Sequence, residues 1–143
     1  MAVAAGNASV DNIVKLPCVL VIEDEWLLRL MIAEHLRQAG CTVVEATTGE
    51  EALAFLNGVQ PPIDVLFTDI QLGGRLSGWE VADAFRKSRP QIPVLYTSGQ
   101  ASRDPRSVSG AVFFDKPYLP DDILDACKTL SARSTRQHFD AEN

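Results

Sequence analysis

Asp69 stands where a residue of its type could do chemistry. The run before it, Val65-Leu66-Phe67-Thr68, is rich in β-branched and aromatic residues and predicts a strand buried on both faces. The glycine pair Gly73-Gly74 follows within a few residues and indicates a loop. Ligands and reacting groups of open parallel α/β sheets lie at this carboxyl edge, so Asp69 is a candidate site residue. The alternative is that Asp69 only caps a turn.

A second acidic group, Glu23-Asp24-Glu25, follows another apolar run, Cys-Val-Leu-Val-Ile. Three carboxylates directly after a buried strand repel one another, so this position requires a compensating charge. The alternative is that Glu25 and Glu23 interact with the positive end of the dipole of the next helix.

The elements that must position these side chains alternate along the chain. Apolar runs predict five strands, over residues 18–22, 41–45, 63–68, 93–98 and 111–114. Helical periodicity and capping signals predict helices over residues 26–38, 48–56, 79–87 and 120–130. This alternation predicts right-handed βαβ units and a doubly wound five-stranded parallel sheet of order 2-1-3-4-5, with helices on both faces. The switch point lies between strands one and three, which brings Glu23, Asp24 and Asp69 to one crevice.

Length and composition bound the class of protein. The chain has 143 residues, 46% of them hydrophobic and 22% charged, which is typical of one globular domain. We expect a disordered leader over residues 1–16, a folded domain over 17–130 and a flexible tail over 131–143. The net charge of −6 disfavours nucleic acid as a direct ligand.

Three features of the sequence predict where the protein is located. No apolar run reaches the roughly 18 residues of a membrane span, and residues 1–10 do not have the pattern of a secretory signal. Cys18, Cys41 and Cys127 are widely spaced among apolar neighbours, which favours buried free thiols in a reducing cytoplasm.

Four strand ends together carry Glu23-Asp24, Asp69, Thr97-Ser98 and Lys116-Pro117. In this order, each after its own apolar run, they resemble the receiver domain of two-component response regulators. The resemblance covers residues 17 to about 130. It implies a cytoplasmic phosphorylation switch rather than an enzyme in the usual sense.

The resemblance also implies a role for each site residue. Asp69 would be the phosphoacceptor, a carboxylate nucleophile for the phosphoryl group of a histidine kinase or histidine phosphotransfer protein. Mg²⁺ would be held by Asp24, Asp69, the backbone carbonyl of Gln71 and, through water, Glu23. Lys116 would place a positive charge on the phosphoryl oxygens.

Two further positions are implied on the output side. Ser98 takes the place of the switch hydroxyl, with Thr97 as the competitor on the opposite face of the strand. Phe113 takes the place of the switch aromatic, although it could also be a plain core residue. The Lys116-Pro117 peptide bond is implied to be cis.

The sequence departs from the usual receiver pattern in two regions. Gly73 replaces the usual Pro four residues after Asp69, and Gly78 comes one residue later than the usual Gly. The interval from Ser98 to Lys116 is short and contains Pro105. We therefore expect residues 100–110 to form a loop or at most about two helical turns, as in a divergent branch with a reduced fourth helix.

The predicted function is that of a stand-alone receiver whose output is binding to another protein, with no direct contact to nucleic acid or membrane. The oligomeric state is expected to be a monomer or a weak dimer. A phosphorylation-independent adaptor of the same fold is the first alternative. A flavodoxin-like or nucleotide-binding enzyme is the second, but acids stand where a phosphate-binding Gly-rich loop would be needed.

Overall fold

The computed structural model describes residues 15–57, 62–99 and 106–142, with residues 134–142 described by their backbone alone. Most of the expected leader therefore lies outside the described residues, as does the first half of the segment 100–110. Its described part, 106–110, forms turns without helix. Among the described ranges, no helix combines the length and apolar character that crossing a bilayer would require.

Strands and helices alternate as the sequence predicts, except between the fourth and fifth strands, where the described residues contain no helix. In chain order they are β1 (Cys18–Ile22), α1 (Trp26–Gln38), β2 (Thr42–Ala46), α2 (Gly49–Leu53), β3 (Val65–Asp69), α3 (Gly78–Ser88), β4 (Val94–Ser98), β5 (Val112–Asp115) and α4 (Pro120–Glu142).

The five strands form one parallel sheet of order β2-β1-β3-β4-β5, which confirms the predicted fold class. The register places Ile22 beside Thr68 and Asp69 beside Thr97. The carboxyl ends of β1, β3 and β4 therefore meet at one edge of the sheet, and the candidate site residues lie there.

The core has two halves, one on each face of the sheet. Side chains alternate along β3, so that Leu66 packs with Trp79 and Phe85 of α3, whereas Phe67 packs on the other face with Ile123 of α4. Every residue of β1, β3 and β4 is buried. The central strands are therefore fixed on both sides, which gives the side chains at their ends a rigid support.

Helix starts follow the predicted capping signals. Ser77 and Glu80 form a complete capping box at α3, with each side chain bonded to the backbone N–H of the other residue. At α2 the box is incomplete: Thr48 accepts the N–H of Glu51, but the Glu51 carboxylate bonds to Thr47.

Two predicted helix ends are wrong. Helix α2 ends at Leu53, before the predicted residue 56, and turns follow it. Helix α4 continues to Glu142, past the predicted end at residue 130. Residues 131–142 contain no Pro or Gly that would stop it.

The three cysteines are free and buried, as predicted. Cys127, wholly enclosed in the core, has a thiol whose pKa is raised by burial to about 12. This thiol stays protonated at neutral pH and serves as a small apolar side chain.

Candidate functional site

Three carboxylates meet at the carboxyl edge of the sheet. Glu23 and Asp24 directly follow β1, and Asp69 is the last residue of β3. Each offers one oxygen, and these three oxygens lie within 4.8 Å of one another. Glu23 and Asp69 are buried, whereas Asp24 is exposed. The structure thus brings together the acidic residues that the sequence singles out.

Lys116 binds two of these acids. Its Nζ lies 2.8 Å from Oδ2 of Asp69 and 3.0 Å from Oε1 of Glu23. The peptide bond to Pro117 is cis, as predicted. The backbone N–H of Lys116 donates to the carbonyl of Ser98 at 2.9 Å, which fixes this turn to the end of β4. A solvated surface lysine would have neither contact.

The electrostatics of the cluster favour a further cation. Burial raises the pKa of Glu23 to about 7, against the lowering effect of its bonds to Lys116 and to the Glu25 N–H. Burial alone would lower the pKa of Lys116, but its bonds to Asp69 and Glu23 raise that pKa above 10.5. One ammonium thus serves two buried carboxylates, and exposed Asp24 adds a third negative charge.

The donor set fits a hard divalent cation. Mg²⁺ takes oxygen ligands, usually one or two carboxylates with water completing its shell. Glu23, Asp24 and Asp69 supply carboxylate oxygens close enough to share one ion, with one exposed side for water. Burial raises the pKa of Glu23 despite its bonds to Lys116 and to the Glu25 N–H, so the charged carboxylate would gain from further compensation. A bound cation would provide it.

The backbone after Asp69 also reaches the site. Gln71 donates its N–H to Oδ1 of Asp69 at 3.2 Å. Oδ2 bonds to Lys116, so both carboxylate oxygens of Asp69 have defined partners. The role of the Gln71 carbonyl as a metal ligand stays a prediction.

The two hydroxyl residues of β4 lie on opposite faces of the sheet. Thr97 is the register partner of Asp69 and shares the face of Leu95, whereas Ser98 shares the face of Tyr96. Ser98 lines a cavity together with Gln71. The choice of Ser98 as the switch hydroxyl therefore stays a prediction, supported by this cavity.

Phe113 packs in an aromatic cluster behind the site. Its ring centroid lies 5.2 Å from that of Tyr96 and 6.1 Å from that of Trp79. Phe113 is half-buried and belongs to the edge of the core on that face. Its role as the switch aromatic also stays a prediction.

Two glycines allow the backbone to approach the acids closely. A Cβ on Gly73 would lie 3.1 Å from Oδ2 of Asp24. A Cβ on Gly78 would collide with the carbonyl oxygen of Asp69 and lie 2.9 Å from the Cα of Ile70. At both positions where the loop after Asp69 departs from the usual receiver pattern, a side chain would therefore lie very close to a site acid.

Sequence reasoning missed Arg29. Its Nη1 donates to the carbonyl of Glu23 at 2.9 Å, and its Nε lies 3.3 Å from Oε1 of Glu45. The guanidinium therefore connects the turn that carries the acids to β2. The predicted order of the sheet contained the signal, because it places Glu45 beside β1, opposite Val21.

Comparison with known proteins shows which family this chain resembles. The family model described as the response regulator receiver domain matches residues 19–128. Among relatives, the transcriptional regulatory protein SphR of Synechococcus elongatus is 27% identical over an alignment that covers 83% of this chain and 50% of SphR. The sensor kinase CckA of Brucella abortus is 30% identical, with 78% of this chain and 12% of CckA covered. The chain spans about half the length of the first curated relatives it matches.

Comparison with solved structures gives the same family. A response regulator receiver protein from Sinorhizobium medicae superposes with a TM-score of 0.78 at 27% identity, covering 84% of this chain and 98% of that one. The response regulator TrrA of Thermotoga maritima, solved in complex with Mg²⁺-BeF, gives a TM-score of 0.71 at 27% identity, with 80% and 99% covered. Since the family model matches well over half of the chain, the chain belongs to the family of response regulator receiver domains.

Proposed function

We propose that this receiver domain is a Mg²⁺-dependent switch that is phosphorylated on Asp69 by a histidine kinase or a histidine phosphotransfer protein. The observation that carries the proposal is the pair of bonds to Asp69, from Lys116 to one oxygen and from the Gln71 N–H to the other. A buried carboxylate held in this way presents its oxygens in a fixed direction.

Transfer exchanges one bond for another. A carboxylate oxygen of Asp69 attacks phosphorus, the P–N bond to the donor imidazole breaks, and the imidazole nitrogen keeps the electron pair and takes up a proton. Lys116 lies against the attacking carboxylate, where its charge stabilises negative charge on the phosphoryl oxygens. Because burial on both faces fixes β3, the nucleophile needs little reorganisation.

The residues that would hold Mg²⁺ are Asp24 and Asp69 directly, the Gln71 carbonyl as a third ligand and Glu23 through water. When bound, the ion neutralises charge on the transferred group and on the acids. The exposure of Asp24 suits a direct ligand whose ion also keeps water, and the bond from Glu23 to Lys116 suits an indirect role.

The output is binding to another protein. Ser98 contacts the phosphoryl group, since it lines the cavity beside Gln71. Phe113 reports the change, because its ring packs against Tyr96 of the same strand, β4, that carries Ser98. The protein works in the cytoplasm, where buried free thiols such as Cys127 stay reduced.

Incubation with acetyl phosphate and Mg²⁺, followed by intact-mass measurement, tests the proposal. We expect one added phosphoryl group in wild type, none with EDTA and none in Asp69→Asn. Asp115→Asn is the matched control, since Asp115 is an exposed carboxylate at the same sheet edge, beside Lys116. A mass gain in Asp69→Asn would refute the acceptor assignment, and no gain in wild type would favour the phosphorylation-independent adaptor.

A further inference from the structure

A cavity of about 380 Å³ adjoins the candidate phosphoacceptor. Gln71 and Ser98 line it on the side of the site, and Gln71 also donates its backbone N–H to Asp69. Trp79 lines it from α3, and Arg75 and Arg106 contribute cationic side chains. In a chain with a net charge of −6, a cavity with two arginines beside an acidic cluster calls for an explanation.

Arg106 lies over the ring of Trp79. Its guanidinium carbon is 5.5 Å from the ring centroid, and Arg106 is exposed whereas Trp79 is buried. An exposed cation–π contact is weak, while a guanidinium forms strong bidentate bonds to phosphate oxygens. A phosphoryl group within reach would therefore be a stronger partner for the guanidinium than the ring of Trp79 is.

The turn that carries Arg106 is anchored behind the site. The N–H of Val108 donates to the hydroxyl of Tyr96 at 3.3 Å. The ring of Tyr96, wholly buried, lies 4.7 Å from Trp79 and 5.2 Å from Phe113, measured between centroids. Before phosphorylation, this bond holds the turn that carries Arg106 close to the cavity.

Phosphorylation adds negative charge that the ammonium of Lys116 compensates only in part. Its ammonium already bonds to both Glu23 and Asp69. A phosphoryl group replaces one carboxylate charge by about two phosphate charges and adds acceptor oxygens. A second cation on the cavity side would bind oxygens that Lys116, bonded to the other oxygen of Asp69, does not serve.

We propose that Arg106 binds the phosphoryl group of phosphorylated Asp69 from this cavity, leaving the ring of Trp79 as it does so. This inference rests on the proposed function of Asp69. Arg75 lines the same cavity from the loop after Asp69, where its backbone N–H donates to the Glu50 carboxylate at 3.4 Å, and it does not lie over the ring of Trp79 as Arg106 does. Arg75 therefore provides the matched control.

Beryllofluoride, a stable mimic of the phosphoryl group, tests the inference in the presence of Mg²⁺. The Trp26→Phe background leaves Trp79 as the single tryptophan, since the chain has two and Trp26 is exposed. Titration then gives an affinity and the change in Trp79 emission together. We expect Arg106→Gln to weaken binding about ten-fold and to abolish most of the emission change. Arg106→Lys should be intermediate, and Arg75→Gln should match the background.

The outcomes separate the two hypotheses. Arg106→Gln that binds beryllofluoride like the background, with the same emission change, would overturn the role of Arg106 and leave Asp69 as acceptor. A background protein that fails to bind beryllofluoride with Mg²⁺ would overturn the phosphoacceptor function and this inference with it. Equal weakening in Arg75→Gln would show a diffuse charge effect and would also overturn it. Urea unfolding of each variant confirms that the fold is intact.

Discussion

Replacing Gly78 by Ala should destabilise the domain, although general rules for helices predict the opposite. Gly78 is the first residue of α3, and alanine there would gain about 1 kcal/mol in helix propensity. Most of this gain comes from the less flexible unfolded chain of the alanine variant. From these local effects alone, the Gly78→Ala protein would be more stable than wild type.

The tertiary contacts of Gly78 reverse that sign. The added Cβ would meet backbone atoms of Asp69 and Ile70, which cannot rotate away as a side chain can. Overpacking of this kind costs about 1–3 kcal/mol. Moving the start of α3 would weaken the 2.8 Å bond from the Gly78 N–H to the Ile70 carbonyl, worth about 1 kcal/mol. It would also disturb the capping box of Ser77, worth about 1 kcal/mol more.

Gly78→Ala should therefore lower the free energy of unfolding by about 2–4 kcal/mol, which urea unfolding measures directly. Gly99→Ala is the matched control, because within the described part of the chain no atom beyond its immediate neighbours lies within 4 Å of a Cβ at that position. It should leave the free energy of unfolding unchanged or raise it by about 0.5 kcal/mol. Gly78→Ala should also slow phosphorylation, since the collision displaces Asp69. A Gly78→Ala protein as stable as Gly99→Ala would refute the close approach between α3 and the end of β3.

Two further predictions concern the charged groups of the site. Lys116→Ala should slow phosphoryl uptake from acetyl phosphate about a hundred-fold in intact-mass time courses, because the attacking carboxylate loses its cation. The surface variant Lys87→Ala should react at the wild-type rate. Burial raises the pKa of Glu23 from 4.5 to about 7, so Glu23 stabilises the metal-free fold below about pH 4.5, and this contribution is lost as the pH rises through 7. Glu23→Gln should therefore lack this loss in urea unfolding with EDTA between pH 4.5 and 8, and a loss equal to that of wild type would contradict the assignment.

The buried carboxylates of the cluster carry more negative charge than one lysine compensates. Glu23 and Asp69 share the ammonium of Lys116, which compensates one of their two charges. The site before phosphorylation therefore favours an additional cation, and phosphorylation increases the negative charge again. The proposed roles of Mg²⁺ and Arg106 follow from the same imbalance of charge at two successive stages.

The sequence determined the fold because its signals are local and repeated. Apolar runs such as Cys18–Ile22 lack the alternation of a half-exposed strand, which predicts burial on both faces. Alternation with helices then restricts the sheet to right-handed parallel crossovers, and the positions of Glu23, Asp24 and Asp69 at one edge follow. Helix ends were less predictable: the polar residues 131–142 suggested a tail after residue 130, but they contain no Pro or Gly, and α4 continues to Glu142.

Only the tertiary structure decided how the site is supported. Arg29 bonds to the Glu23 carbonyl and to Glu45, and Arg106 lies over Trp79. Gly78 allows α3 to approach Asp69, although the sequence showed it only as a glycine one residue out of place. These contacts join residues from different elements, so their existence depends on how the elements pack rather than on local propensity. The sequence therefore determines which residues reach the edge of the sheet, and packing between elements decides which of them touch.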